Sequence, residues 1–440
     1  KSYDFFDSGL MFGIDKFDII IMNPPYFQLT GNHQYMHYFD KKDSKVSDIY
    51  QLFMEMSFNR LLDENGIVSA VISNKWMRAG YGERTRKFLY DKAFVYEVID
   101  LGANWFESAT VDTNIIIYGK DKDNIQEKIN AYKISLCNDI INAKKDKLKS
   151  GEKECFIFPK KDYSSWIILN EDEKSILEKI HKFKSLKDWD INIYRGILTG
   201  FNEAFIIDEA AKERLIKEDK KSAEIIKPLL RGRDVKRYSY NFANLYLINT
   251  HNGIKEKDIP PIDINDYPAI KKHLDKYSSK LEKRADKGDT FYNLRNCAYL
   301  EDFEKDKIIW TPVNGIYYFT YVEAGYYFNN SIFMISDKEN NINKLKYLLS
   351  VLNTITFKLG SLITPLTEVG QYTYGSKEFM QTIPIPEPDK ETENKLVKLV
   401  DNIIENKKQN IDISALEKEI DCIVYALYGL SEYEIKIIEC

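Results

Sequence analysis

The stretch FDIIIMNPPY, residues 17–26, decides how the first part of this chain folds. Residues 17–22 form an apolar run rich in β-branched side chains, and the Asn-Pro-Pro that ends the run is typical of a buried strand. Asn23 and Pro24 follow with two fixed oxygen acceptors, because the prolines lock the backbone and remove competing amide donors. Such a pair can bind both hydrogens of an exocyclic amino group, and Tyr26 offers a flat face for stacking a base.

Helices and strands alternate downstream of this stretch. Apolar periodicity predicts helices over 47–62 and 82–92 and strands over 67–73, 95–101 and 113–118, the last two able to pair as a hairpin. The alternation indicates an α/β fold with a parallel sheet covered on both faces. Ligands bind such sheets beyond the carboxyl ends of the strands, which is where Asn23 is expected.

Composition divides the chain into three parts. A Lys-rich stretch over 120–165 separates a first domain, 1–160, from an α+β domain over 166–385 that is rich in aromatic strands. The Pro-rich residues 383–388 are expected to form a stiff linker. Two amphipathic segments behind it predict that residues 386–440 form a helical hairpin.

Charge and apolar runs exclude few classes of partner. The net charge of −5 belongs to the tail, since the residues from Ile385 onward hold 7 lysines against 13 acidic residues. A groove for nucleic acid elsewhere is therefore compatible with the acidic total. No run approaches about 18 apolar residues, so the sequence predicts no membrane span.

Metal and disulfide signals are weak. Five scattered cysteines without a CxxC pattern predict neither a disulfide framework nor a zinc ribbon, and they indicate a reducing cytoplasm. His33 and His37 lack the Glu of a zinc-protease helix, so no metal is expected. The triplet Asp172-Glu173-Lys174 matches the D-x-K element of PD-(D/E)xK nucleases, but a chain with 30% charged residues yields such triplets by chance.

The tetrapeptide Asn23-Pro24-Pro25-Tyr26 resembles the (Asn/Asp/Ser)-Pro-Pro-(Tyr/Phe) motif of amino-methyltransferases. The chain is similar to the TaqI-type adenine methyltransferases, to the fused type IIG restriction–modification enzymes and to phage-defence methyltransferases of the BREX type. This resemblance implies transfer of a methyl group from S-adenosylmethionine to N6 of a DNA adenine that is flipped out of the duplex. It assigns all four residues of the motif to catalysis.

The same resemblance implies further contacts. Phe106, within WFESATV (105–111), would form the second face against the adenine, and Asp4-Phe5 would contact the adenine of the cofactor. The family's Gly-containing loop and ribose-binding acid would lie upstream of Asp4. The expected fold is therefore a partial Rossmann-like methyltransferase, the second half of the sheet, which would expose apolar surface. A missing N-terminal methyltransferase or nuclease portion, in cis or as a second chain, would complete it.

Two segments of the second domain resemble the TaqI-like target-recognition domain. They are YRGILTGFNEAF (194–205) and IKPLLRGRDVKRY (226–238), the second of which is strongly basic. The resemblance implies double-stranded DNA as the partner, since arginine suits phosphates and guanine edges. The DNA contacts that it implies are Thr199, Asn202, Arg231, Arg233, Lys236 and Arg237.

The residues leave more than one function open. The first is the site-specific adenine methyltransferase portion of a type IIG restriction–modification or phage-defence enzyme. The alternative is a DNA-binding specificity module or subunit without catalysis of its own, because the cofactor-binding half is absent. Methylation of an amide or amine on protein is weaker, since the aromatic, Arg-bearing second domain suits DNA.

Overall fold

The computed structural model describes residues 8–29, 48–102, 112–120, 126–134, 154–163, 165–311, 318–358 and 377–439. The chain divides into two compact units, the first built from residues 1–177 and 364–373 and the second from 178–363 and 374–440. Within the described ranges, no helix is long and apolar enough to cross a bilayer.

A mixed seven-stranded sheet forms the centre of the first unit, in the order β1-β2-β4-β3-β5-β6-β7. The strands are β1 (Phe17–Met22), β2 (Leu62–Ser73), β3 (Phe94–Gly102), β4 (Thr113–Gly119), β5 (Ile129–Lys133), β6 (Cys155–Ile157) and β7 (Ile168–Leu169). The helices are α1 (Ser8–Phe12), α2 (Tyr50–Met56), α3 (Glu83–Lys92) and α4 (Glu171–Ile180), and the boundary between the two units falls within α4.

Strand direction confirms the α/β class and corrects one detail of it. β1 pairs with β2, and β3 with β5, in parallel. β4 instead runs antiparallel between β2 and β3, so the sheet is mixed rather than parallel, and the predicted hairpin is confirmed. The reason lies in the connection from Gly102 to Thr113, which is shorter than the dozen or so residues that a parallel crossover needs.

The two faces of this sheet differ at its β1 edge. Tyr50 and Met54 of α2 and Phe88 of α3 belong to the buried cluster on one face, against which Ile20 packs. On β1, however, Ile19 and Ile21 are 67% and 81% exposed, and Ile67, which pairs with Ile19 from β2, is 37% exposed. The prediction that residues 17–22 are a buried strand is therefore wrong for these side chains, whereas the expected exposure of apolar surface is observed.

The second unit is an α+β body with two four-stranded sheets, ordered β16-β10-β13-β9 and β15-β14-β17-β8, and a β11–β12 hairpin. Its strands are β8 (Ile191–Arg195), β9 (Ile206–Asp208), β10 (Ile226–Leu230), β11 (Val235–Lys236), β12 (Ser239–Tyr240), β13 (Leu245–Ile248), β14 (Lys307–Trp310), β15 (Phe319–Val322), β16 (Tyr327–Phe328) and β17 (Phe333–Asp337). Its helices are α5 (Asn202–Phe205), α6 (Glu209–Glu218), α7 (Pro268–Asp275), α8 (Ser278–Leu281), α9 (Ile342–Lys358), α10 (Lys377–Thr382), α11 (Lys390–Lys408), α12 (Ser414–Leu427) and α13 (Glu432–Glu439).

Two helices begin where side chains satisfy free backbone amides of the first turn. Asp389 accepts a hydrogen bond from the Thr392 amide at 2.7 Å where α11 begins. At α4, Asn170 and Glu173 accept from each other's backbone amides at 2.9 and 2.8 Å, which is a capping box. Glu173 of the D-x-K triplet therefore has a structural task at a helix start.

The Pro-rich segment 383–386 is buried in the second unit. The Leu186 amide donates to the Ile383 carbonyl at 2.7 Å and the Ile385 amide to the Lys184 carbonyl at 2.8 Å. The Tyr428 hydroxyl also donates to the Pro384 carbonyl at 2.7 Å. The linker prediction is wrong, because a linker has its backbone in solvent. The C-terminal helices expected behind it are present, and α11 packs on α9 and α12.

Candidate methyl-transfer site and nucleic-acid interface

The Asn-Pro-Pro-Tyr tetrapeptide lies directly after β1, at the carboxyl end of the strand. Asn23 is exposed, Pro24 is buried and Tyr26 is half-buried. The Tyr26 hydroxyl lies 2.8 Å from Asn23 Oδ1 and 2.8 Å from the Val71 carbonyl of β2, so it can donate to either oxygen. The tyrosine thus connects the Asn23 amide to the neighbouring strand and orients an otherwise solvent-facing side chain.

A carboxylate that the sequence analysis did not identify lies beside this turn. Asp48 pairs with Gln28 in an isolated antiparallel bridge, and the Ile49 amide donates to the Phe27 carbonyl at 3.2 Å. Burial raises the pKa of Asp48 to about 6, which the Lys75 ammonium partly opposes. Burial and the Asp48 charge together raise the pKa of Tyr26 to about 12, so its hydroxyl keeps its proton at neutral pH.

Polar groups also mark the neighbouring strand ends at this edge. Asn74, just past β2, donates through Nδ2 to Asp100 Oδ1 on β3 at 3.0 Å and through its backbone amide to the Asp112 carbonyl at 3.0 Å. Burial, reinforced by the Asp100 charge, raises the pKa of Asp112. A polar residue directly after an apolar strand is the signal that finds Asn74 in the sequence. Asp48 has no comparable signal, because it approaches the turn through the fold.

Three assigned residues lie outside the described part of the chain. They are Phe106, the predicted second stacking face, and Asp4 and Phe5, the predicted cofactor contacts. Their assignments stay predictions. Among the described residues, no group of three or more His, Cys, Asp or Glu side chains is arranged to hold a metal ion.

Of the two DNA contacts predicted in the first segment, one side chain is buried and the other is exposed. Thr199 is only 3% exposed, and its hydroxyl donates to Asn202 Oδ1 at 2.6 Å, while Asn202 itself is exposed. Arg284, which the sequence analysis did not single out, donates to the Thr199 carbonyl and, at 3.1 Å, to the Phe291 carbonyl. Burial lowers the pKa of Arg284 to about 10. Arg284 thereby fixes the loop that presents Asn202.

The second segment leads into the β11–β12 hairpin, and its four predicted DNA-contact residues are placed differently. Arg231 forms an ion pair with Asp234 at 2.8 Å, and Arg237 forms one with Glu417 of α12 at 2.9 Å. Arg233 and Lys236 are exposed. Two of the four side chains therefore hold the segment in shape, and two face solvent.

Comparison with known proteins matches each part to a family model. Residues 1–106 match the Eco57I restriction-modification methylase model, and residues 227–361 match the TaqI-like C-terminal specificity domain. Type II methyltransferase M.BstVI of Geobacillus stearothermophilus is 22% identical over 96% of this chain and 75% of its own length. M.MjaIV of Methanocaldococcus jannaschii, also a type II methyltransferase, is 25% identical over 54% of this chain and 79% of its own length.

A solved structure supports the fold. The type IIL restriction-modification enzyme MmeI, determined in complex with DNA, superposes with a TM-score of 0.55 at 10% identity and covers 96% of this chain. This chain spans 56% of the MmeI chain. Residues 1–106 and 227–361 are thus similar to an Eco57I-type methylase and to a TaqI-like specificity domain, and the two matches together support a likeness to TaqI-type or type IIG methyltransferases.

Proposed function

We propose that this chain is the adenine-N6 methyltransferase portion of a site-specific type IIG restriction–modification or phage-defence enzyme of the cytoplasm. The observation that carries the proposal is the exposed Asn23 amide at the end of β1, oriented by the Tyr26 hydroxyl at 2.8 Å. The type II methyltransferase relatives support a methylase role, and the TaqI-like domain supports double-stranded DNA as substrate.

Asn23 and Pro24 act on the amino group of an adenine that has left the base stack. Asn23 Oδ1 and the Pro24 carbonyl each accept a hydrogen bond from one N6 hydrogen. The two bonds draw these hydrogens out of the plane of the ring, which takes the N6 lone pair out of conjugation and localises it on nitrogen. The Tyr26 pKa of about 12 keeps its hydroxyl a donor, so it can hold Asn23 Oδ1 in place. Catalysis is then mainly proximity and orientation.

The described residues fit the acceptor side of this reaction. S-adenosylmethionine, when bound, supplies an electrophilic methyl group on its sulfonium. With N6 held by Asn23 Oδ1 and the Pro24 carbonyl, that methyl group would pass from sulfur to N6, and N6 would lose one proton to solvent. The exposed Asn23 oxygen supplies the acceptor chemistry that an amino group needs, while Asp4 and Phe5 are proposed to contact the cofactor.

A paired substitution tests the proposed function. In the complete protein, Asn23→Ala should abolish methyl transfer to DNA, because one of the two acceptors is lost, and should leave duplex binding within about twofold. The control is Asn59→Ala, which removes another exposed asparagine of the first unit. Transfer of radiolabelled methyl groups to duplex DNA measures activity. Full activity of the Asn23 variant would exclude the proposed role.

The open apolar surface on β1 supports the proposal of a further chain segment. Ile19, Ile21 and Ile67 form one exposed patch on the paired strands β1 and β2. We propose that additional methyltransferase sequence, in cis or from a second chain, covers this patch. Ile21→Lys should prevent that association, whereas Ile14→Lys, which alters an isoleucine 45% exposed outside the patch, should not. Co-purification of this chain with the additional methyltransferase sequence, expressed as a separate chain, measures the association.

The second candidate is a specificity module without catalysis, and the exposed β1 face is the observation that favours it. Titration of the isolated chain with S-adenosylmethionine discriminates between the two. Micromolar binding favours a self-sufficient enzyme, and absence of binding favours a module that needs a partner.

A further inference from the structure

A cleft of about 770 Å³ opens in the second unit between the β11–β12 hairpin, β15 and the C-terminal end of α11. The residues that matter on its walls are Lys236, Arg237, Tyr240, Tyr321, Lys407 and Lys408. Lys407 and Lys408 come from the tail that the sequence analysis described as acidic. The cleft thus brings together basic residues that lie about 170 positions apart in the chain.

The walls of this cleft are fixed in place. Arg237 pairs with Glu417 at 2.9 Å, which ties the hairpin to α12. The Tyr238 amide donates to the Phe319 carbonyl at 3.0 Å, which ties the hairpin to β15. On the other wall, α11 packs on α9 and α12. The lysines therefore stand on a preformed surface, which lowers the entropy lost when a ligand binds.

The charge on the walls is predominantly positive, since four cations line the cleft against one carboxylate. Among the described residues, Lys236, Lys407 and Lys408 have no ion-pair partner within 4 Å, although Asp412 lies close enough to Lys407 to interact electrostatically. Glu323 is the one lining carboxylate, and it accepts a hydrogen bond from Tyr240 at 2.8 Å. Favourable interaction with the helix dipole explains lysines at the end of α11, but it does not explain Lys236 on a separate hairpin.

We propose that this cleft binds the phosphodiester backbone of duplex DNA, with Lys236, Lys407 and Lys408 each contacting a phosphate. Lysine is a flexible point charge suited to phosphate, and such contacts position a protein on a duplex without reading its sequence. The inference rests on the proposed function for its choice of ligand. It adds the C-terminal helix α11 to the interface, so the tail is a part of the DNA-binding surface.

The salt dependence of binding tests the inference. The probe is a mixed-sequence duplex of about 30 base pairs, titrated with the complete protein across a range of salt concentrations. Each lost phosphate contact should reduce the slope of log K against log salt by about 0.9 and weaken binding about eightfold at about 0.1 M salt. The variants are Lys236→Ala, Lys407→Ala and Lys408→Ala, alone and combined, and the matched control is Lys398→Ala, an exposed lysine of the same helix outside the cleft.

The possible outcomes are distinct. A reduced slope in the cleft variants with an unchanged slope in the control supports the inference. An unchanged slope in the cleft variants overturns it, as does a wild-type protein that does not bind the duplex. Lysine-dependent binding of a single-stranded RNA of the same length, without lysine-dependent binding of the duplex, would assign the cleft to RNA and overturn the DNA assignment. Lys→Gln variants keep a long polar side chain and replace any alanine variant that fails to fold.

The outcome is independent of the methylation assay. If the protein binds DNA through these lysines but transfers no methyl group, the cleft inference stands and the proposed function is rejected. If the enzyme is active but the cleft variants bind DNA with an unchanged salt slope, the proposed function stands and the cleft inference is rejected.

Discussion

Replacement of Lys307 by Met should stabilise the second unit at neutral pH. Lys307 is the first residue of β14 and is 0% exposed. Its ammonium donates to the Glu323 carbonyl at 3.2 Å. Burial lowers the pKa of Lys307 to about 8, which the nearby charges of Asp306 and Glu304 only partly oppose. A methionine of similar length would fill the site without a charge.

The size of the effect follows from the pKa. A fall from 10.5 to about 8 corresponds to about 3 kcal/mol of folding free energy that is lost while the lysine is charged. The variant forfeits the hydrogen bond to Glu323, worth about 1 kcal/mol. It also removes a cation near Asp302, which keeps its 2.6 Å hydrogen bond from Ser336. The net gain should be about 1–2 kcal/mol at about pH 7.

The pKa of Lys307 also predicts how the stability difference between wild type and variant changes with pH. Between the folded pKa of about 8 and the unfolded pKa of 10.5, the unfolded wild type binds the proton more tightly. Wild-type stability should therefore rise relative to the variant across this window, and the variant's advantage should vanish above it. Urea unfolding followed by fluorescence measures the difference, with the buried Trp310 of β14 as a reporter.

A matched control is Lys305→Met, because the Lys305 ammonium is 3.5 Å from Asp302 and its side chain is 29% exposed. This control should lack the gain at neutral pH. A Lys307→Met variant that is less stable than wild type at about pH 7, or whose difference is the same at about pH 10, would refute the reasoning.

Three further predictions concern the two candidate sites. Tyr26→Phe should reduce methyl transfer by about fivefold in single-turnover assays, because the hydrogen bond that orients Asn23 is worth about 1 kcal/mol; an unchanged rate would exclude this orienting role. Asp48→Asn should stabilise the first unit at neutral pH, because the pKa of Asp48 is raised to about 6 in the folded protein. The wild type is then most stable below about pH 4 and loses stability as the pH rises through about 6. Unfolding free energies measured from about pH 4 to 7 should show the variant becoming more stable than the wild type as the pH rises. Arg237→Ala and Glu417→Ala should each destabilise the second unit by about 1–2 kcal/mol. A double-mutant cycle should give a coupling energy above about 0.5 kcal/mol. If the two losses of stability simply add, the two side chains do not form a structural ion pair.

Local patterns predicted the fold well where a short segment determines its own structure. The apolar run before Asn23, the helix at α3 and the C-terminal helices follow from periodicity and turn residues within about 20 positions. The strand patterns offered the antiparallel hairpin of β3 and β4 without deciding it, because these patterns record which residues are apolar and not how strands pair. The length of the connection before Thr113 contained that information.

The candidate site was predictable only in its continuous part. Asn23-Pro24-Pro25-Tyr26 is contiguous, so the motif alone indicates the two proposed acceptors. Asp48 and the lysines of α11 reach their sites through tertiary packing, which no single segment encodes. The basic segment before Tyr238 also misled in part, since composition does not distinguish Arg237, held by Glu417, from the exposed Lys236.

The pairing of residues 184–186 with 383–385 has a consequence for how specificity can change. The chain enters and leaves the intervening segment at two adjacent stretches of backbone, joined by an isolated antiparallel bridge between Ser185 and Pro384. Chain ends that lie side by side are the geometry that tolerates insertion and replacement of whole domains. Because α9, inside this segment, packs on α11 and α12 outside it, a replacement segment would have to keep the surface that these helices contact. Under the proposed function, a segment exchanged in this way would change the DNA target without gradual change at each base contact.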